Sequence, residues 1–142
     1  DTLKNISETS AFTINHVHLG FTDKAHYTSA KFPEEISEFE EAGLTPEFLD
    51  GFAAPYLKES EIKIGLKKVQ EMPIELNGTI LMIGQVEHIY MPDEIIDRNG
   101  ILDLNLVEDV CISGLNTYHS VVKAAEYPYA RPGEFPVEVH HD

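Results

Sequence analysis

The sequence has 142 residues, which is enough for one domain and too few for two of ordinary size. Asp and Glu number 25 against 10 Lys and Arg, and the resulting net charge of -15 disfavours binding to nucleic acid or to an anionic membrane. No apolar stretch approaches the roughly 18 residues that indicate a membrane-spanning helix. We therefore expect neither nucleic acid nor a membrane among the partners of this chain.

Cysteine usage bears on the cellular compartment. Cys111 is the only cysteine, so no disulfide can form within the chain. It lies between Val110 and Ile112, where a buried structural thiol is predicted. A lone thiol without a recognisable secretion signal leads us to expect a cytoplasmic protein. Because the first residue is not Met, we also expect a fragment or a processed form.

Helix and strand signals alternate in the first part of the chain. Leu3 and Ile6 lie on one face of a short helix that is predicted to end near Thr9, and a strand is predicted over residues 11–15. An N-cap residue or a proline begins three further predicted helices, and glycine ends the last two. These three helices are predicted over residues 23–31, 33–43 and 45–51. Residues 21–55 are therefore predicted to form a helical insertion between strands.

The strongest strand signals come later. Apolar and polar or small residues alternate from Ile62 to Lys67, as in a half-buried strand, and Pro73 is predicted to break the chain. Both faces are apolar across residues 80–83, which indicates a strand that is central in its sheet or covered by a partner subunit. Gly78 and Gly84 fit bends or bulges, which small barrels use to curl.

These elements predict a mostly-β or α+β fold with helices in its connections. No GxGxxG motif follows a strand and no βαβ alternation occurs, which argues against a parallel dinucleotide-binding fold. Residues 127–136 contain three prolines and are predicted to form an extended arm across a surface.

No catalytic signature can be recognised. Walker, GxSxG, HExxH and CxxC motifs do not occur, and we assign no catalytic acid or base. His16 and His18 are two apart on the continuation of a strand, so both are predicted to face the same way. Three interpretations stay open for this pair: a metal site completed by His26 or His88, a contact to a flavin or substrate, and ordinary polar packing. We assign no metal.

Polar side chains cluster on one short predicted helix. Lys24, His26, Thr28 and Ser29 lie within six residues, and His26 and Ser29 are i,i+3 neighbours on one face. A phosphate group requires several converging hydroxyl, amide or cationic donors, and this cluster offers them in an otherwise acidic chain. The alternative is an exposed polar face without a ligand.

Six segments occur in an order and at spacings that together are fairly specific to one family of proteins. They are DTLKNI at residues 1–6, FTINHV at 12–17, KAHYTSA at 24–30, the stretch 38–52, PIELNGT at 73–79 and ISGLNTYH at 112–119. Together they resemble the FMN-binding split-barrel domain of the flavin-reductase-like family, in which a helix precedes a strand of the form F-x-[IV]-N.

The resemblance implies an antiparallel Greek-key split barrel with helical insertions that forms a homodimer and binds FMN non-covalently near the subunit interface. It implies a domain over residues 1–130, without the family's N-terminal strands, followed by an extended C-terminal tail over 131–142. By position it implies a phosphate contact at Thr2 and contacts near the flavin from Asn15, His16 and Val17. Further implied contacts are Lys24, His26 and Ser29, and from the same or the partner subunit Tyr118 and His119.

Three functions remain open on this resemblance. The first is an FMN-dependent oxidoreductase of the flavin reductase type that uses NADH or NADPH. The second is a non-catalytic split-barrel flavoprotein that carries electrons or stores flavin. The third is a structural domain without a cofactor. In the first two, the flavin performs the redox chemistry and the protein positions it.

Overall fold

The computed structural model describes residues 2–33 and 35–140. Within these ranges, strands outnumber helices. The helices are α1 (Thr2–Thr9), α2 (Thr22–Tyr27) and α3 (Glu38–Glu41), with 3-10 turns at Leu19–Phe21 and Asp93–Ile95. The strands are β1 (Ala11–Asn15), β2 (Pro46–Glu47), β3 (Tyr56–Leu57), β4 (Lys63–Ile74), β5 (Thr79–Tyr90), β6 (Val110–Ser113) and β7 (Thr117–Ser120).

Antiparallel pairing joins the strands into three open sheets. The largest has the strand order β1-β4-β5, while β2 pairs with β3 and β6 pairs with β7. Phe12 faces Leu66 across β1 and β4, and Ile64 faces Ile89 across β4 and β5. The register of β4 and β5 shifts at Gly65/Leu66 and again between Lys68 and Gln70, so the long hairpin is irregular at two points. The mostly-β prediction is confirmed, and the sheets of the described residues do not close into a barrel.

The predictions for the first part of the chain hold up to residue 15 and fail wholly or in part beyond it. The helix ending at Thr9 and the strand over 11–15 are confirmed. The helix predicted over 23–31 is shorter, and of the helix predicted over 33–43 only α3 is formed in the described residues. The helix predicted over 45–51 is wrong, because residues 46 and 47 pair as β2 with β3 instead. Strand pairing over a distance overrides the local start signal there.

Two further sequence predictions are corrected. Pro73 does not break the chain, because β4 continues to Ile74 with Pro73 opposite Ile80. Beyond Lys67, β4 pairs only with β5, and a strand with one open edge tolerates a residue without an N–H group. Cys111 is exposed rather than buried, because β6 lies in a two-stranded sheet that leaves its side chain uncovered.

The doubly apolar segment of β5 is not covered within the described chain. Ile80, Leu81 and Ile83 are 42%, 48% and 40% exposed, and β5 forms an edge of its sheet. The interpretation as a central strand is therefore wrong for this sheet. The other interpretation, cover by a partner subunit, is taken up below.

Buried apolar side chains form two separate clusters. The first lies between the α2–α3 region and β3 and consists of Phe21, Ala42, Leu44 and Leu57. The second lies where β4 begins and consists of Ile62, Ile95 and Val107. Both clusters adjoin the C-terminal end of β1, so the core fixes the position of that strand end. No helix in the described ranges is long and apolar enough to cross a membrane.

A glycine in β4 leaves room for a buried tyrosine from β3. Tyr56 is fully buried, and its hydroxyl lies only 2.2 Å from the position that a Cβ at Gly65 would occupy. Among the described residues this hydroxyl has no hydrogen-bond partner, and burial raises its pKa. Phe52 and Tyr90 pack against the Tyr56 ring, with ring centroids 5.6 and 5.3 Å away. The absence of a side chain at position 65 therefore makes room for an aromatic layer over β4.

A buried histidine joins the end of β1 to the segment before β6. His18 Nε2 accepts a hydrogen bond of 2.8 Å from the Glu61 amide, and its Nδ1 lies 3.6 Å from Asp109 Oδ1. Burial lowers the pKa of His18, and the nearby charges of Asp109 and Glu61 only partly oppose this effect. The fold therefore favours the neutral ring, because a protonated Nε2 could not accept the Glu61 amide.

We expect Gly65→Ala to destabilise the fold by about 1–3 kcal/mol, because the new methyl group overlaps the Tyr56 hydroxyl. Tyr56→Phe alone should cost little, since it removes a buried hydroxyl for which the described part of the chain offers no partner. The double variant should recover much of the loss, because the next nearest atoms lie 3.2 and 3.3 Å from the new Cβ. Urea unfolding of the three variants measures this coupling, and additive effects would contradict it.

We expect acid to destabilise the protein partly through His18. Because its pKa is lowered in the folded state, its contribution to stability is complete above the unfolded value of about 6.5 and is lost as the pH falls toward the folded value. Urea unfolding between pH 7.5 and 5 should show a shallower pH dependence for His18→Gln than for the wild type. His140→Gln, at an exposed position in the tail, is the control and should retain the wild-type dependence. Equal slopes for all three proteins would refute this role.

Candidate functional site

Side-chain alternation at the end of β1 divides the predicted site residues between two faces. Asn15 and Val17 line a cavity, whereas His16 and His18 approach Asp109. Successive residues of an extended chain point to opposite sides, so this separation follows directly from the backbone. The prediction that His16 and His18 face the same way is confirmed by their shared neighbour.

The cavity beside β1 has a volume of about 450 Å³. Thr2 and Ile6 come from α1, Thr13 and Asn15 from β1, and Leu57 from β3. Apolar side chains form much of its lining, with a few hydroxyl and amide groups among them, and such linings are typical of small-molecule sites. Of the nine predicted contacts, the structure places Thr2, Asn15 and Val17 around this one cavity.

The Asn15 side chain holds two strands together. Its Nδ2 donates to Thr13 Oγ1 over 3.0 Å, and its Oδ1 accepts from the Leu57 amide over 2.9 Å. The Thr13 hydroxyl in turn donates to the Pro55 carbonyl over 2.7 Å. The polar edge of the cavity is therefore fixed by hydrogen bonds between β1 and β3, which reduces the reorganisation needed when a ligand binds.

His16 is oriented by a buried carboxylate. Its Nδ1–H donates to Asp109 Oδ2 over 2.9 Å, and the Asp109 side chain is only 7% exposed. The His16 side chain itself is 33% exposed, so the ring reaches from the buried acid toward solvent. Sequence reasoning missed Asp109, because nothing in its local pattern distinguishes one acidic residue among 25 Asp and Glu.

The predicted phosphate cluster around α2 is not brought together. Lys24 Nζ donates to the Gly43 carbonyl over 2.9 Å, which completes the end of α3, and the Ser29 hydroxyl donates to the His26 carbonyl over 2.8 Å. Lys24 lines a second cavity of about 480 Å³ together with His18 and several glutamates, whereas Thr28 lines the first. Sequence reasoning named Thr28 in the cluster but did not include it among the contacts.

Tyr118 and His119 lie on opposite faces of β7 and have different surroundings. Tyr118 packs edge-on against His26, with ring centroids 5.9 Å apart and its hydroxyl 3.4 Å from His26 Nδ1. His119 is exposed, and its Nε2 lies 2.8 Å from the Ser113 hydroxyl within the same hairpin. The hairpin thus reaches α2 through Tyr118. Among the described residues, no three His, Cys, Asp or Glu side chains are arranged to hold a metal ion.

Comparison with known proteins identifies the family of this chain. The model of the "Flavin reductase like domain" family matches residues 1–106. An uncharacterised protein of Aquifex aeolicus is 34% identical over 99 residues, covering 70% of this chain and 50% of its own length. The chain spans about half the length of the curated relatives it matches.

Two solved structures have the same fold. The crystal structure of a protein assigned as a flavin reductase with a split barrel domain, from Shewanella frigidimarina, superposes with a TM-score of 0.87 at 42% identity, covering 91% of this chain and 65% of that chain. Flavoredoxin of Desulfovibrio vulgaris superposes with a TM-score of 0.78 at 25% identity, covering 94% of this chain and 70% of that chain. The chain belongs to the flavin reductase like domain family.

Proposed function

We propose that the protein is an FMN-binding oxidoreductase of the flavin reductase type that takes electrons from NADH or NADPH. The observation that carries the proposal is the cavity of about 450 Å³ beside β1, lined by Thr2, Asn15 and Val17, in a chain of this family. Its mixed lining suits a flat ring system with a polar edge. The flavin supplies the redox chemistry when it is bound, and the chain binds it, orients it and limits its contact with water.

In this proposal Thr2 contacts the phosphate, because it begins α1, where a hydroxyl and free backbone amides occur together. Asn15 and Val17 lie near the ring through the cavity that they line, and His16 is kept as a proposed contact although its side chain turns toward Asp109 on the other side of the strand. Lys24, His26 and Ser29 are further contacts, and Lys24 and Ser29 would then exchange their present carbonyl acceptors for the ligand. Tyr118 and His119 approach from the β6–β7 hairpin, in the same or the partner subunit.

The exposed hairpin supports a homodimer, and the likeness to a solved split-barrel structure supports the Greek-key split barrel. On β4 and β5, apolar side chains such as Val69, Leu81 and Val86 are 60%, 48% and 50% exposed. A surface of this kind is costly to leave in water, and each large aliphatic side chain that is fully buried contributes about 1.5–3 kcal/mol. The domain boundary at residue 130, the C-terminal tail and the cytoplasmic location stay predictions from the sequence.

A second candidate is a flavoprotein that carries electrons without oxidising a nicotinamide. The likeness to a flavoredoxin, over 94% of this chain, favours it. The two candidates separate in one experiment on the intact protein loaded with FMN. Oxidation of NADH or NADPH, followed as loss of absorbance near the nicotinamide band, supports the reductase, whereas a yellow protein that leaves both nicotinamides unchanged supports the carrier.

We expect the intact protein to bind FMN more tightly than riboflavin, which lacks the phosphate, and Thr2→Ala to weaken only FMN. Loss of one hydrogen bond to a charged group costs about 1.5–3 kcal/mol, or about 10- to 150-fold in affinity. Flavin fluorescence titration measures both ligands. Ser7→Ala, at an exposed position on the same helix and outside the cavity lining, is the matched control.

The pair Lys24→Ala and Ser29→Ala, combined in one chain, tests the other proposed donors in the same titration. Weakening of FMN without weakening of riboflavin would place them at the phosphate. Equal weakening of both flavins by Thr2→Ala and by the double variant would remove all three residues from that role, and the absence of flavin binding by the wild type would refute the proposed function.

We expect Ile83→Asp to shift the protein from dimer toward monomer, or to cause aggregation, because a charge would enter the apolar surface of β5. Size-exclusion chromatography with light scattering measures the mass. Val137→Asp adds the same charge at a position in the tail that is 76% exposed, and this variant should remain dimeric. A dimer of normal stability in Ile83→Asp would argue against this interface.

A further inference from the structure

The Asn15 side chain leaves one hydrogen-bond donor free at the cavity beside β1. Its Nδ2 donates to the Thr13 hydroxyl, and its Oδ1 accepts from the Leu57 amide. The second contact fixes the orientation of the side-chain amide, because a backbone N–H can only donate and must therefore face Oδ1. Nδ2 carries two hydrogens, and the second has no partner among the described residues. The Thr13 hydroxyl is fully used, since it also donates to the Pro55 carbonyl.

Thr28 offers the matching acceptor. It directly follows α2, is half-buried and lines the same cavity. Its hydroxyl donates to the Ala25 carbonyl over 2.7 Å, which leaves lone pairs of Oγ1 free to accept. Ionised phosphate oxygens only accept, so a hydroxyl whose hydrogen is already used cannot donate to them. Thr28 is therefore better suited to an N–H group of a ligand than to a phosphate.

Packing places Thr28 with the residues that the proposed function assigns to the ring. Ala25, whose carbonyl accepts the Thr28 hydroxyl, packs against the first buried cluster. Val17 and Phe39 pack against the same cluster, and all of these residues line the cavity. Because Val17 is one of the residues proposed to lie near the ring, the free acceptor of Thr28 belongs to the same region of the cavity.

One free donor and one free acceptor match the polar edge of a flavin. The isoalloxazine ring has an imide edge, in which the N3–H group stands between two carbonyl groups. The N–H group requires an acceptor and each carbonyl accepts from a donor, and Thr28 and Asn15 supply these two kinds of group. Apolar side chains, among them Val17, Phe39 and Leu44, complete this part of the lining and suit the flat body of the ring.

We propose that Thr28 is a flavin-recognition residue whose hydroxyl accepts a hydrogen bond from N3–H of the ring, an inference that rests on the proposed function. The free hydrogen of the Asn15 amide donates to a carbonyl of the same edge. This recognition does not involve the phosphate, so it applies to riboflavin and FMN alike. It favours ligands that carry an imide N–H over ligands in which that nitrogen is substituted.

Riboflavin and 3-methylriboflavin test this hydrogen bond, because they differ only at N3. In a flavin fluorescence titration of the intact protein, Thr28→Val should weaken riboflavin by about 2- to 12-fold, the range for one neutral hydrogen bond, and leave 3-methylriboflavin unchanged. Thr28→Ser keeps the hydroxyl and should retain the wild-type preference for riboflavin. Thr22→Val, at the first residue of α2 and outside the cavity lining, is the matched control and should change neither affinity.

The outcomes separate this inference from the proposed function. An intact protein that binds no flavin refutes the function and the inference together. If flavin binds, but the wild type does not prefer riboflavin or Thr28→Val weakens both ligands by the same factor, the inference alone is wrong. Thr28→Ala also removes the hydroxyl, and the same ratio of the two affinities decides the question with this variant if Thr28→Val does not fold.

Discussion

The period of two along the end of β1 is the constraint on which the candidate site depends. An extended chain sends neighbouring side chains to opposite sides, so four consecutive residues serve two regions. Asn15 and Val17 face the cavity that α1 and β3 enclose, and His16 and His18 face Asp109. A shift of this segment by one residue would place the His16 and His18 rings in the apolar cavity and the Asn15 amide against the Asp109 carboxylate. The register of this strand therefore decides which of these side chains reach the cavity.

The pairing of β1 with β4 fixes that register, and small residues allow it. Asn15 lies opposite Lys63, and Phe12 lies opposite Leu66, with the Phe12 ring so near Gly84 that a Cβ there would approach it to 2.5 Å. Gly65 makes the corresponding space for Tyr56. Aromatic rings occupy the places of two missing side chains, and the strand order β1-β4-β5 is locked by shape as well as by hydrogen bonds.

Elements that are determined by the sequence of a single segment could be predicted from that sequence. The apolar face of α1 and the alternation in β4 were visible in the sequence, and so was the resemblance that led to the family. The short strand β2 could not be predicted, because it exists only through its pairing with β3, and its sequence carries a helix start signal. The predicted burial of Cys111 was wrong because it, too, depends on pairing at a distance. The local sequence is apolar, but it lies in a sheet of only two strands, which leaves the side chain exposed. The candidate site divides similarly. The resemblance supplied Asn15 and Val17, and one strand places both on the same side, whereas the link from His16 to Asp109 joins residues 93 positions apart.

The long edge of β5 has a consequence for how the chain behaves in solution. In residues 2–33 and 35–140, β5 has no strand on its second side, and the amide and carbonyl groups along such an edge form a template on which other chains can add strands. The net charge of -15 opposes such association, since it makes every copy repel every other at long range. This protection is electrostatic and decays over a Debye length of about 8 Å at physiological ionic strength. Wherever a partner does not cover this edge, association through it is therefore expected to increase with ionic strength.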